Sequence, residues 1–573
     1  MVFSAAGQAK TIGLIGLAAL AGALAIFFFS FPRGLGLTDE SLAVYLLLHP
    51  NAPMPSMDHF VLGHVLAWMP LNLIALRWLG AAAVVGSSTA LSAAVLFWSG
   101  RRQAISLLGC LLAIVFGFLG SLLFFTALRP TPNYALNLVV VCNLFAALRF
   151  ATDDRDSWVA AILMGALAAM AFLARVPASL FLVVFLIMFE WTAERKIFRR
   201  AFFVRASRIL AAAVLILIGL VLAGLQIKLQ FDLLHALTIT SHSPSDLLAI
   251  DLPYAGGIGV AAILLAGGTC VLVRRFNAPR NIGIALLTTV CFAVLAALVC
   301  MKIWGFFVLA PLPDQLLDGN AALRSLGPAL HVVLLAAIFC QAGLARTAPT
   351  TERTLLRLCL LLYFLCLLPF IGTNTGIWHR STANMGPPFL AIGIILSHAI
   401  QRRRIADWVA APVVFATALP VMAALYASLV THPVSVAGSA AAQTQMLNHP
   451  SFLRGLWVAP PVAALQTSVE RQLNDVHFDF AHEALLPGTG RLGMAVLAGA
   501  DALGNGWYFA GYGGSEVWNC AVMALWLPHA SARVVGIDVD SFQPETRACL
   551  KRYTFPPSRS AALGIVSVLY RRD

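Results

Sequence analysis

Long apolar runs recur between residues 11 and 430, broken only by short polar or basic stretches. Crossing the hydrocarbon of a bilayer takes about 20 mostly apolar residues in a helix, because every backbone polar group must be satisfied within the segment once water is gone. Thirteen such spans can be placed, near 11–31, 78–99, 104–128, 134–149, 157–173, 177–192, 209–227, 255–273, 282–303, 327–345, 358–372, 386–400 and 409–430. The fifth and sixth are read as two helices meeting at a turn, since Arg175-Val176-Pro177 interrupts them with a proline and the restricted residue before it. Composition enters only as support: 60% of the 573 residues are hydrophobic and 11% charged, more apolar surface than a soluble fold can hide.

Lys and Arg test the topology, because short cytoplasmic loops retain them and short outer loops lose them. With the N-terminus inside, inner loops collect 20 of these residues, among them the cluster Arg195, Lys196, Arg199, Arg200, Arg205 and Arg208. Outer loops keep 8: Arg33, Arg77, Arg129, Arg175, Lys228, Lys302, Arg324 and Arg380. The bias holds loop by loop and places the part after the last span outside. Much of the net charge of +13 is therefore what the positive-inside rule demands, and nucleic acid is not an expected partner. The first span is expected to be retained, as its apolar run is long and no small-residue cleavage site follows.

After about residue 430 charges, glycines and prolines scatter, and the character becomes that of a soluble unit. Val462–Asn474 reads as a helix, and Ala532–Asp538 and Ala562–Tyr570 as strands, so a small α/β domain is expected over 431–573, following a membrane domain over 1–430. Gly536-Ile537-Asp538 reads as a strand leading to a turn, since no GxGxxG precedes it. Eight cysteines lie in apolar runs and behave as small hydrophobes. Cys520 and Cys549 lie in the tail, where an oxidising periplasm would allow one disulfide. No CxxC or His-x3-His spacing marks a metal site.

Function is sought among polar groups at the outer face, where ionisable residues near a membrane are costly. The first outer loop holds Gly36-Leu37-Thr38-Asp39-Glu40-Ser41-Leu42-Ala43-Val44-Tyr45, an acidic pair leading into an apolar-faced helix expected to lie on the membrane surface. Two adjacent carboxylates can divide labour, one taking a proton from an attacking hydroxyl while the other orients it. The alternative is that Thr38 or Asp39 merely caps the helix. The Trp residues near span ends, such as Trp68, Trp78 and Trp158, read as an interfacial belt.

With three motifs taken in order, the chain resembles the polytopic GT-C glycosyltransferases, especially the bacterial branch of the aminoarabinose transferase of lipid A and the protein mannosyltransferases. Asp39-Glu40 with Tyr45 matches the family's acidic pair after the first helix. Arg129-Pro130-Thr131-Pro132-Asn133-Tyr134 is similar to the Pro-containing Tyr/Asn turn that opens the fourth helix, and Gly165–Pro177 to a small-residue helix ending in a basic residue before Pro, with Arg175 where Lys is common. Thirteen helices and an outer domain is also the layout of the aminoarabinose-transferase branch.

The resemblance implies transfer of a sugar from a polyprenyl (undecaprenyl) phosphate to a cell-envelope acceptor, lipid A, lipopolysaccharide, another glycan or a protein, on the periplasmic face of the bacterial inner membrane. A lipid phosphate is a good leaving group, so the chemistry needs cations for the departing charge and a base for the acceptor hydroxyl. Asp39 is the expected base and Glu40 its partner or an acceptor contact. Arg175 and Arg129, then Arg380 and His379, then Arg77 are expected at the donor phosphate, which Arg grips in a fixed fork. The alternative for each arginine is ordinary anchoring to lipid headgroups. Tyr45, Asp58, His59 and His64 are expected on the acceptor side. No metal site is expected from spacing, although the family varies in its need for a divalent ion. The rival readings are an O-antigen ligase or polymerase, which would carry its large outer segment between late spans, and a lipid-linked-sugar flippase or transporter, which would favour repeated halves and broken helices.

Overall fold

The computed structural model describes residues 5–275, 330–339, 350–401, 409–555 and 565–571, apart from 53, 55, 70–71, 103–105, 154–156, 195–199, 229–230, 233–234, 236–243, 372–376, 432, 434–435, 437, 504–507, 509–514 and 532. The protein is an all-α polytopic membrane protein with a small C-terminal α/β part. Seven described helices are long and apolar enough to cross a membrane: Gly7–Ser30, Leu73–Arg101, Leu107–Ala127, Tyr134–Ala151, Arg200–Leu222, Glu352–Phe370 and Ala410–Thr431. Five shorter apolar helices accompany them: Trp158–Ala174, Val176–Thr192, Ala255–Val271, Leu330–Phe339 and Gly386–His398. Twelve of the thirteen expected spans thus coincide with helices, and the one at 282–303 lies outside the described residues.

The helices that build the site are α1 (Ala5–Ser30), α2 (Asp39–Leu48), α3 (Asp58–Leu66), α4 (Leu73–Arg102), α5 (Leu107–Leu122), α6 (Phe124–Ala127), α7 (Tyr134–Ala151), α8 (Trp158–Ala174), α9 (Val176–Thr192) and α10 (Arg200–Leu222). Small residues let these helices approach, as is usual where lipid gives no hydrophobic push between them. A Cβ on Gly393 would sit 2.9 Å from Ala113 Cα, so the Gly386–Gln401 helix lies flush on α5. A Cβ on Gly165 would lie 2.6 Å from that of Ala212, joining α8 to α10. At Arg175 the break between α8 and α9 is real: its φ of −166° and ψ of 115° are extended, so it closes α8 and caps α9, whose first turn takes Pro177 at no cost in hydrogen bonds.

At the end of the bundle away from the C-terminal part, buried charges are paired. Arg149 reaches Glu190 at 2.5 Å, Arg205 joins Glu190 at 3.0 Å, and Trp98 Nε1 donates to Asp153 at 2.9 Å. A buried polar seam also runs between the helices, which the sequence reading missed. Asn143 donates to Asn384 at 3.1 Å, and His331 sits between the Tyr363 hydroxyl at 2.9 Å and the Ser381 hydroxyl at 2.7 Å.

The C-terminal part holds a two-stranded ladder of β1 (Gln445–Met446) and β2 (Trp457–Val458), and a four-stranded sheet in the order β3 (Leu485–Pro487), β4 (Arg533–Ile537), β6 (Val566–Arg571), β5 (Thr554–Phe555). β3 runs parallel to β4, with Leu485 opposite Val535; β6 runs antiparallel to β4, with Val568 opposite Val535. The expected helix is found at Pro460–Asp475, its proline in the first turn where the missing N–H costs nothing. Cys520 and Cys549 form a disulfide between the helices Ser515–Trp526 and Pro544–Tyr553.

Candidate functional site

The turn 129–133 organises the site, and α4 seats it. Arg77 and Gly80 lie three residues apart, so they share one face of α4. Gly80 lies so close under the Pro130 carbonyl that no side chain would fit there. The Asn133 side chain then caps α7, accepting from the amides of Ala135 at 2.9 Å and Leu136 at 3.0 Å. With the turn fixed, the Thr131 hydroxyl donates to Glu40 at 2.7 Å.

Glu40 is 3% exposed and Arg77 0%. Arg77 Nε donates to Glu40 Oε1 at 2.8 Å and Nη2 to Oε2 at 2.7 Å, the two-pronged geometry of a strong ion pair. The remaining Arg77 N–H groups go to the carbonyls of Phe31, Arg33 and Gly34. All five guanidinium N–H groups are then used, which corrects the expectation that Arg77 serves the donor phosphate. Glu40 also accepts from the Gly36 amide at 2.8 Å, so it turns back into the protein and has no side for an acceptor. Burial pushes its pKa up, but the charges of Arg77 and Arg129, with the hydrogen bonds from Arg77 and Gly36, outweigh that and hold the carboxyl at about 2. Arg129, buried beside this pair, is lowered by burial to about 10, with Glu40 opposing, and keeps its charge at neutral pH.

Asp39 stands one residue away in the first turn of α2 with its side chain exposed. Neither Thr38 nor Asp39 closes α2 as a simple cap. Thr38 occupies the cap position without a side-chain hydrogen bond, and the Gly36 carbonyl accepts from the Ser41 amide in the first turn instead. The apolar face of α2 does not rest on the membrane surface, as the sequence suggested. Ala43, Val44, Tyr45, Leu46 and Leu47 are buried, and Val44, Tyr45 and Leu46 share a core with Leu447, Leu456, Val469 and Leu492 of the C-terminal part. Tyr45 gives its hydroxyl proton to the Ala502 carbonyl at 2.8 Å. That contact explains its burial and withdraws it from the acceptor side.

A second group surrounds the first turn of α7. Arg175 stacks over Tyr134, its Cζ 5.2 Å from the ring centre. Among the described residues its buried Nη1 has no hydrogen-bond partner. Burial pushes the Arg175 pKa down, Tyr134 opposes, and the nearby positive charge of Arg380 adds to the lowering. Two like charges and an unpaired buried N–H together describe a place for an anion. Arg380 lies on the short helix Ile377–Arg380, one residue from Ser381 and its bond to His331. His379 is on the same helix, and its side chain lies outside the described residues.

Asn137, one turn beyond Tyr134, donates to Asp58 at 2.5 Å. The Met57 amide donates to the Leu173 carbonyl at 2.8 Å, which pins the start of α3 against the end of α8. Burial raises the Asp58 pKa despite the Asn137 bond, and lowers that of His59. His59 Nε2 donates to the Ala52 carbonyl at 2.8 Å, and His64 Nδ1 to the Phe60 carbonyl of its own helix at 2.7 Å, so both brace the loop. Among the described residues no three His, Cys, Asp or Glu side chains gather as a metal ion would need. A small pocket lined by Trp98, Thr354 and His398 opens at the opposite end and meets none of these groups. Of the central residues, sequence reasoning missed Thr131 and Asn137 as contacts; Thr131 lay inside the turn motif, and Asn137 is signalled only by sharing the Tyr134 face of α7.

No protein-family model matches this chain. No curated protein matches it either. Two solved structures are similar to it along nearly its whole length. ArnT from Cupriavidus metallidurans bound to undecaprenyl phosphate is 12% identical with a TM-score of 0.41, the match covering 96% of this chain and 97% of that one. The same protein in its apo state is 11% identical with a TM-score of 0.38 and the same coverage.

Proposed function

We propose that the protein is a membrane glycosyltransferase that moves a sugar from a polyprenyl phosphate to a cell-envelope acceptor at the periplasmic face of the bacterial inner membrane. The observation that carries this reading is the buried Arg175 Nη1, without a hydrogen-bond partner among the described residues and near the charge of Arg380, against the same α7 turn that anchors the Asp39-Glu40 segment through Thr131. The sequence motifs of the GT-C resemblance meet at that turn. Orientation with the C-terminal part outside is supported by the Lys and Arg bias and by the Cys520–Cys549 disulfide, a bond of oxidising compartments. A soluble unit after the last membrane helix favours a transferase over an O-antigen ligase, whose large segment would fall between late spans.

In this mechanism the acceptor hydroxyl oxygen attacks the anomeric carbon, the bond from that carbon to the phosphate oxygen breaks, and the bonding pair leaves with the phosphate. Asp39 takes the hydroxyl proton. Arg175, with Arg380 and Arg129 adding field, stabilises the charge on the leaving phosphate. Glu40 holds the loop that carries Asp39, and Asp58 lies on the acceptor side.

The test is transfer of radiolabelled sugar from polyprenyl-phosphate donors in membranes holding matched levels of wild type, Asp39→Asn and Arg175→Ala. Loss of transfer in both variants, with normal insertion, is expected. Wild-type turnover by Asp39→Asn would remove the base assignment. Absence of transfer by the wild type across a broad donor set would remove the reaction class.

A further inference from the structure

The C-terminal part grips the first connecting segment on both sides of Asp39-Glu40. Ahead of the pair, the Gly34 amide donates to the Trp457 carbonyl at 2.7 Å, and the Trp457 amide donates to Pro32 at 2.7 Å. Gly493 presses on Leu37 so closely that a Cβ there would lie 2.7 Å from Leu37 Cα. Beyond the pair come the Tyr45 bond to Ala502 and the contact of His49 Nε2 with Asp501 at 3.2 Å. Residues 34–36 have no regular structure of their own and include two glycines, and they are held from two directions: Arg77 donates to the Gly34 carbonyl and Glu40 accepts from the Gly36 amide, while the tail binds the Gly34 amide and packs on Leu37.

We propose that the C-terminal part is a positioning element of the site: by clamping residues 32–37 and 45–49 it fixes the direction in which Asp39 projects. Tyr45, Trp457 and Gly493 are then positioning residues that act through Asp39. The inference rests on the reading of Asp39 as the acceptor base. It matters for rate because a misplacement of about 1 Å can cost on the order of a hundredfold in turnover.

The test uses the full-length protein in nanodiscs, with Gly493→Leu to push the tail off Leu37 and Tyr45→Phe to delete one bond. Backbone hydrogen exchange over 33–42 is measured beside steady-state kinetics. For Gly493→Leu, exchange at the Gly34 amide rises, and kcat falls by roughly tenfold or more while the acceptor KM stays within about twofold. Tyr45→Phe shifts both readouts the same way by less, and decides the question if Gly493→Leu does not fold. Asp39→Asn loses transfer with exchange unchanged. Wild-type exchange in both clamp variants overturns the proposal, as does a rise in acceptor KM at constant kcat, which would mark the tail as an acceptor-binding module. Failure of the reaction reading shows separately, as full turnover by Asp39→Asn, and leaves the exchange result to judge the clamp.

Discussion

Glu40 and Asp39 are neighbours with opposite surroundings: one is sealed against Arg77, Thr131 and the Gly36 amide, the other faces outward. Removing one partner of a buried ion pair leaves the other charge uncompensated, at a cost of about 3–5 kcal/mol. Glu40→Gln is therefore expected to lower the thermal midpoint in detergent strongly, whereas Asp39→Asn should leave it nearly unchanged; equal effects would refute the division of roles. Because the Glu40 carboxyl is held at about 2 against 4.5 when unburied, its contribution is complete above about pH 4.5 and fades as pH falls toward 2. Asp58 has the opposite sign. Burial raises its pKa above 3.8, so the stability gained from its protonated form is present below that value and is lost as pH rises through the raised one. Asp58→Asn should accordingly be more stable than wild type at neutral pH, with the difference shrinking in acid. A series of midpoints against pH for both proteins would show it, and a constant offset would contradict it.

Among elements, the 129–133 turn matters more than any single helix, since it ties α4 to the first loop and starts α7. Its seat is Gly80. Gly80→Ala puts a methyl against the Pro130 carbonyl, and overpacking of this kind costs about 1–3 kcal/mol. The expected result is a lower thermal midpoint together with loss of transfer, because Thr131 and Arg129 both move relative to Glu40. Unchanged transfer in a variant with a lowered midpoint would show that the turn serves stability alone. The motif 129–134 is visible in the sequence as a turn and a cap, while Gly80 resembles any small residue in an apolar run until α4 meets the turn.

For the whole molecule, the first connecting segment packs on the C-terminal part, and paired charges such as Arg149–Glu190 lie at the other end of the described helices. The tail shares a core with the first loop, so its stability should be felt there. The Cys520–Cys549 bond closes a loop with a sequence separation of 29 residues, and removing such a bond costs about 2–4 kcal/mol. Cys520→Ala with Cys549→Ala is expected to lower the midpoint of the tail and to make the first loop more sensitive to protease. A protease-resistant first loop in that double variant would show the two parts to be independent.

The sequence by itself determined the membrane class, the positions of twelve helices and the α/β character of the tail. Apolar run length and the Lys and Arg bias act through solvation, which each segment meets locally, and so they can be read along the chain. The partners could not be read in this way. Arg77 joins Glu40, Tyr45 joins Ala502 and Asn137 joins Asp58 across 37, 457 and 79 residues. Only tertiary structure decided that Arg77 is consumed by an ion pair while Arg175 keeps an N–H with no partner among the described residues, because a guanidinium is assigned by the few ångströms around it and those are set by packing between distant segments.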